Sequence, residues 1–184
     1  MTRRSAVMCA ALLVVLSCGC SRAEAPARAP VPREFEVGPH RVRVVPPAGW
    51  DVFDQGLQKR FRKREDAKGL AEAEVILRDL GRVDPPLPDL DLLADWGLKE
   101  LGHDGRRDVK SRRALTVNGR EVVDVETWSR LDHTYPQRFL FALNAGHLLA
   151  LHTPRLADAE TVKAYETIRD SLHFLTIGAD SGRR

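Results

Sequence analysis

Two neighbouring segments late in the chain are largely apolar on both of their alternating faces. They are 137–143 (QRFLFAL) and 147–152 (HLLALH), and Asn144-Ala145-Gly146 lies between them. Successive side chains of a strand point to opposite faces, so strands that are apolar on both faces must be covered on both faces. The pair therefore predicts a central hairpin in a sheet that has a packing layer on each side.

Several earlier segments show the alternation of half-buried strands. A turn at Gly38-Pro39 separates the first two of these segments. Asn118-Gly119 joins a later pair, because Asn-Gly is the preferred sequence for a two-residue type I′ turn. The predicted extended segments before that turn are 35–37, 42–44, 50–64 and 71–80.

Two segments change to helical periodicity. In 87–101, apolar residues recur at helical spacing, and Gly102 provides a stop after them. In 159–174, an apolar stripe follows Asp158, which is a good N-cap residue. Together the elements predict an α+β domain, with a curved, mainly antiparallel sheet of five to seven strands packed by at least two helices.

The order of these elements resembles that of the PsbP-like and DcrB-like proteins. The resemblance is carried by RVRVVPPAGW at 41–50, an NGRE turn at 118–121, the two apolar strands, and a closing helix that ends YETIRDSLHF at 165–174. It extends over about Phe35–Phe174 and implies a small α/β/α sandwich, exported or lipid-anchored. It also implies an accessory or assembly role around membrane complexes, and it supplies no catalytic residue.

The N-terminus, MTRRSAVMCAALLVVLSCGC, has the organisation of an export signal. Two arginines precede an apolar run of eleven residues, Ala6–Leu16, which is shorter than the about 20 residues that a spanning helix needs. Small residues and cysteines follow, and this resembles a bacterial lipoprotein signal. We expect residues 1–19 to be cleaved and Cys20 to be lipidated, by diacylation that includes groups such as palmitate. Cys18 is the alternative, and a plain cleaved signal or an uncleaved anchor stays open.

The segment that follows the signal predicts a tether. Residues 20–33 contain three prolines and no hydrophobic periodicity, which favours an extended chain. A single domain over 34–177 and a disordered tail over 178–184 complete the predicted organisation. Without residues 1–19 the chain has 27 basic and 26 acidic residues, so a nucleic-acid partner is not expected. The predicted location is the bacterial cell envelope, on the periplasmic or exterior side of a membrane.

Signatures of catalysis are missing from the sequence. It has no G-x-S-x-G, H-E-x-x-H, Walker or G-x-G-x-x-G motif, and its three cysteines lie in the first twenty residues. His147 and His152 are five residues apart on one strand, so they should point to opposite faces. Asp132 beside His133 is the best start for a metal or proton-transfer site. We nevertheless predict no enzyme activity, no metal and no cofactor.

A basic segment is the first candidate for a binding surface. It carries five positive charges around Phe61, namely Lys59, Arg60, Arg62, Lys63 and Arg64. One interpretation is contact with anionic lipid or an acidic partner. The other, which we favour, is an edge strand whose charges prevent pairing with other sheets.

Trp128 is the second candidate. Alternation after the Asn-Gly turn places it on one strand face with Val122, Asp124 and Glu126. A tryptophan among charged neighbours can be an exposed contact for a partner. The alternative is that another element covers it.

Three functions follow from these patterns. The leading hypothesis is a non-catalytic, membrane-anchored lipoprotein that binds another envelope protein. The second is a carrier of small molecules, with a pocket between the sheet and the helix at 90–101. A hydrolase without a recognisable motif is the third.

Overall fold

The computed structural model describes residues 30–63, 73–84, 89–102, 107–129, 136–154 and 158–175. The predicted signal peptide, both candidate lipidation sites, Arg64, the Asp132-His133 pair and the tail at 178–184 lie outside these residues. Within them, no helix has the length and apolar character needed to cross a bilayer.

Ten strands and two helices make up the described part of the chain. In order they are β1 Arg33–Val37, β2 His40–Val44, β3 Trp50–Asp54, β4 Gln58–Lys63, β5 Glu74–Arg82, α1 Leu90–Glu100, β6 Arg107–Val117, β7 Arg120–Ser129, β8 Gln137–Asn144, β9 His147–His152, α2 Ala159–Ser171 and β10 His173–Leu175.

Two antiparallel sheets contain these strands. The large sheet has seven strands in the order β3-β4-β5-β9-β8-β7-β6, and the small sheet has three in the order β1-β2-β10. The α+β class and a seven-stranded antiparallel sheet with two helices agree with the prediction. The small sheet is an addition to it.

The large sheet is covered on both faces, as the two-sided apolar strands predicted. On one face, α1 packs over a cluster that includes Phe139, Phe141 and Ala150. On the other face, α2 and the small sheet enclose a larger cluster around Leu149 and Leu151. Both central strands therefore contribute side chains to two separate cores.

Local turn chemistry explains both predicted hairpins. Asn118 and Gly119 have φ angles of 49° and 80°, and Ala145 and Gly146 have 50° and 77°. Positive φ at both central residues is what a type I′ turn requires. The hairpins β6–β7 and β8–β9 are thus determined by residues adjacent in sequence.

Two boundaries differ from the prediction. Residues 50–64 do not form one extended segment, because a turn with Gly56 at φ 70° separates β3 from β4. The last helix ends at Ser171 rather than 174, and β10 then pairs with β2. The Ser171 hydroxyl accepts a hydrogen bond from the Val45 N–H at 2.8 Å, which joins the helix end to the strand beneath it.

Candidate functional site

The basic segment forms β4, which lies between β3 and β5 and is not an edge strand. The edge-strand interpretation is therefore wrong, and β3 is the edge. Lys59 and Phe61 both point into the core and are buried. The Lys59 ammonium pairs with the exposed carboxylate of Asp54, so its charge is compensated within the β3–β4 hairpin.

The other charged residues of β4 also face acidic groups of the same chain, Arg60 and Arg62 on one face of the strand and Lys63 on the face that α2 covers. Arg60 and Arg62 lie 3.4 and 2.7 Å from Oε1 of Glu74, and Lys63 lies 2.7 Å from Glu160 on α2. These pairs reduce the net positive potential that the strand would present to an anionic surface. The binding role predicted for this segment remains a prediction.

Trp128 lies near the end of β7 and is half-buried. Lys110 of the edge strand β6 places its ammonium 4.7 Å from the centre of the indole ring. Asp124, which shares the same strand face, is buried beneath α2 and does not belong to a charged surface. Trp128 is thus a partly exposed side chain whose ring lies beside Lys110.

Asp124 is the centre of a buried polar cluster. The Tyr165 hydroxyl donates a hydrogen bond to its Oδ1 at 2.7 Å, and Arg113, Arg138 and Arg169 place nitrogens 3.3, 3.7 and 3.9 Å from its Oδ2. Burial, and then the neighbouring Asp124 carboxylate, raise the pKa of Tyr165 well above its usual value. The cluster holds a compensated carboxylate and a protonated phenol, and joins α2 to the sheet.

A second buried cluster contains His40, Asp79 and His147. Asp79 Oδ1 lies 3.7 Å from His40 Nε2 and 3.4 Å from His147 Nδ1, and the two rings are perpendicular with centres 5.5 Å apart. One nitrogen of each ring and one carboxylate oxygen lie within 4.8 Å of one another. His40 and Asp79 are buried, whereas the His147 side chain is 26% exposed.

The cluster joins three strands that are distant in sequence. His40 begins β2 of the small sheet, while Asp79 and His147 belong to the adjacent strands β5 and β9 of the large sheet. A β-bulge between Asp79 and Gly81 lets Asp79 Oδ1 accept the Gly81 N–H at 3.0 Å. Gly38 has φ 58°, and a Cβ there would overlap the Asp79 carboxylate. The turn glycine therefore lets β2 approach Asp79.

Two ring nitrogens in this cluster lack a hydrogen bond. His40 Nε2 and His147 Nδ1 are both buried, and neither has a hydrogen-bond partner among the described residues. Burial lowers the pKa of His40, although Asp79 opposes this shift. Neutral imidazole is the form that ligates metal ions, so the three side chains offer two nitrogens and one oxygen to a cation.

Sequence reasoning missed two of these three residues. It correctly placed His147 and His152 on opposite faces, and His152 instead stacks on Phe139 with ring centres 5.9 Å apart. His40 and Asp79 carry no recognisable spacing relative to His147. The only local signal is the Gly38-Pro39 turn that precedes a histidine at the start of a strand.

The interface between α1 and the sheet does not support the predicted carrier pocket. Gly97 of α1 lies directly against Phe141, and a Cβ at this glycine would overlap the ring. Leu93, Ala94 and Leu98 fill the remainder of the helix face and are buried. Close packing here weighs against a ligand between the sheet and the helix.

Comparison with known proteins supports the fold. No family model matches the chain, and no curated protein matches its sequence. Among solved structures, the solution structure of cyanobacterial PsbP (CyanoP) from Synechocystis sp. PCC 6803 superposes with a TM-score of 0.55 at 15% identity. The match covers 83% of this chain and 98% of that one. The fold is PsbP-like.

A second solved structure is more distant. A protein of unknown function from Pseudomonas aeruginosa matches with a TM-score of 0.43 and 11% identity, covering 73% of this chain and 88% of that chain. A score at this level does not establish a shared fold. The PsbP-like assignment therefore depends on the cyanobacterial structure.

Proposed function

We propose that this PsbP-like protein is a non-catalytic accessory lipoprotein of the bacterial envelope, anchored through Cys20 and binding another envelope protein. The cysteine in a lipobox-like context supports the anchor, and the PsbP-like fold is compatible with an accessory role. The near-neutral charge after removal of residues 1–19 is compatible with a protein partner.

The observation that carries the proposal is the exposed position at which the N-terminal segment enters the folded domain. Pro30, Val31 and Pro32 are exposed where they lead into β1, and Val31 is 67% exposed. Cys20 precedes Pro30 by ten residues, which at about 3.1 Å per residue allow a reach of about 31 Å in an extended chain. A lipid on Cys20 would thus hold the domain near a membrane without burying its surface.

The intact mass of the protein purified from native membranes tests the anchor. We expect a mature chain that begins at Cys20 and carries diacylglycerol, and we expect Cys20→Ser to abolish both processing and lipid. Cys18→Ser is the matched control and should be processed normally. The reverse pattern would assign Cys18 instead, and an unmodified soluble chain would contradict the anchor.

Trp128 tests partner binding. Cross-linking in native membranes, quantified by mass spectrometry, should identify a partner whose yield falls at least tenfold in Trp128→Ala. Trp128→Phe keeps an aromatic face for Lys110 and should retain most of the cross-linking. Far-UV circular dichroism and thermal unfolding must be unchanged in both variants. Equal yields from wild type and Trp128→Ala would remove this surface from the proposal.

A further inference from the structure

We propose that His40, Asp79 and His147 form a binding site for one divalent transition-metal ion of the Zn²⁺ class. The site is a property of the folded domain, so it is independent of the anchor and of the partner proposed above. Its ligands come from both sheets, and a bound ion would therefore link the small sheet to the large one.

The donor set and its spacing fit such an ion. Two imidazole nitrogens with one carboxylate oxygen are a ligand set that proteins use for Zn²⁺ and related ions, with solvent completing the coordination. Bonds of 2.0–2.1 Å in a tetrahedral site place the ligand atoms about 3.3 Å apart. The two distances to Asp79 Oδ1, 3.7 and 3.4 Å, are close to this value.

The unsatisfied nitrogens point to a ligand rather than to a simple polar contact. A distance of 3.7 Å is too long for a hydrogen bond between His40 Nε2 and Asp79. His40 is only 2% exposed, and its Nε2 has no hydrogen-bond partner among the described residues. Buried polar atoms are normally paired, so a cation between the three groups would satisfy the two nitrogens and the carboxylate together.

Outer contacts can orient the ligands. Asn144 Nδ2 lies 2.8 Å from His40 Nδ1, and a half-turn of the amide, which exchanges its nitrogen and oxygen, presents the oxygen to the ring instead. In that orientation Asn144 accepts the Nδ1–H and leaves the Nε2 lone pair free, as ligating histidines require. The Gly81 N–H likewise holds Asp79 Oδ1.

A surface pocket borders the cluster at His40, while Asp79 and His147 do not line it. Its volume is about 320 Å³, and its wall includes His40, Asn144 and Arg120. The partly exposed ring of His147 also connects the cluster to solvent. Arg120 is a neighbouring cation whose charge opposes that of a bound ion. Its guanidinium donates to the Leu143 carbonyl at 2.9 Å.

Zinc titration of the tag-free full chain, after removal of metal with EDTA, tests the site. We expect wild type to bind one Zn²⁺ in the cluster. His147→Gln and Asp79→Asn should bind it at least about 100-fold more weakly, because even changes to residues that only contact the ligands can lower metal affinity by up to that factor. His173→Gln is the matched control, because this histidine is exposed on β10 and lies outside the cluster. Cys9, Cys18 and Cys20 can also bind zinc, so the difference from wild type is the readout.

Thermal unfolding gives a second measurement. Zinc at about 100 times its dissociation constant should raise the midpoint by about 5–10 °C in wild type and in His173→Gln. The two cluster variants should show no such rise. If Asp79→Asn does not fold, His147→Gln alone is compared with wild type. The His147 side chain is partly exposed, so its substitution should disturb the core less. Equal zinc binding and equal midpoint shifts in wild type and both cluster variants would overturn the proposal.

Discussion

Two buried aspartates on the same face of the large sheet have opposite surroundings. Asp124 accepts a hydrogen bond from Tyr165 and faces three arginines, so its charge is compensated within the fold. Asp79 faces two histidine rings whose nearest nitrogens have no hydrogen-bond partner among the described residues. The first cluster is complete as it stands, whereas the second offers three donor atoms to a ligand.

This difference separates a structural role from a binding role. Buried polar groups stabilise a fold when every member is satisfied, and an incompletely satisfied group costs free energy. A fold that keeps His40 Nε2 and His147 Nδ1 buried carries that cost unless a ligand offsets it. The two aspartates therefore predict opposite responses to the same Asp→Asn change.

The largest effect is expected at Asp124. Asp124→Asn keeps the size of the side chain but removes the buried carboxylate that three arginines share, although Arg138 keeps Glu126 at 3.4 Å and Arg169 keeps Asp170 at 2.7 Å. Removing one partner from a buried ion pair costs about 3 kcal/mol or more, and because these other partners remain we expect the lower end, a fall of about 3 kcal/mol in the free energy of unfolding. Urea unfolding measures this. Asp84→Asn is the control, because Asp84 is exposed and makes none of the contacts around Asp124, and its effect should stay below about 1 kcal/mol. A loss at Asp124 as small as the control would contradict compensation by the arginines.

A smaller effect is expected at the hydroxyl that donates to Asp124. Tyr165→Phe removes the 2.7 Å hydrogen bond and leaves Oδ1 of the carboxylate without this donor. Hydrogen bonds to charged groups contribute about 1.5–3 kcal/mol, so we expect a loss of about 2 kcal/mol in urea unfolding at pH 7. An unchanged free energy of unfolding would show that the arginines alone satisfy Asp124.

The raised pKa of Tyr165 also predicts a pH dependence. Its usual value in an unfolded chain is about 10, so above pH 10 the unfolded state loses this proton while the folded state keeps it. The folded state then binds more protons, and stability falls by up to about 1.4 kcal/mol per pH unit. Urea unfolding at pH 9, 10 and 11 should show that Tyr165→Phe lacks this part of the slope. Parallel slopes for the two proteins would argue against a buried, protonated phenol.

The smallest effect on stability is expected at Asp79. With EDTA present, Asp79→Asn should change the free energy of unfolding by less than about 1 kcal/mol, because no fully charged partner is left unpaired. The same urea unfolding experiment compares it directly with Asp124→Asn. A loss near 3 kcal/mol would make the two clusters equivalent, and the contrast between them would be lost.

Much of the fold was predictable because its signals are local. Asn118-Gly119 has the backbone preference that a tight turn needs, and Asp158 accepts the Thr161 N–H at 2.7 Å as an N-cap should. The small sheet was not predicted as a separate unit. Its third strand is only His173–Leu175, and pairing with β2 depends on residues about 130 positions earlier.

The candidate sites were less predictable than the fold. Alternation correctly placed Lys59 and Phe61 on one side of β4, but it could not show that Asp54 and Glu74 would pair with the strand's charges. It also placed Asp124 beside Trp128 without showing that α2 covers the aspartate. Partners of a charged side chain depend on which strands become neighbours, and alternation within one strand contains no information about that.

The sequence by itself determined the α+β class, the central hairpin, the two helices and the Asn118-Gly119 turn, because periodicity and turn preferences act between residues close in the chain. Only the tertiary structure decided which charges are buried and what surrounds them. His40, Asp79 and His147 are brought together by the contact between two sheets and by a bulge in β5. No spacing within one segment encodes that contact, because the strands that supply His40 and His147 are more than a hundred residues apart in the chain.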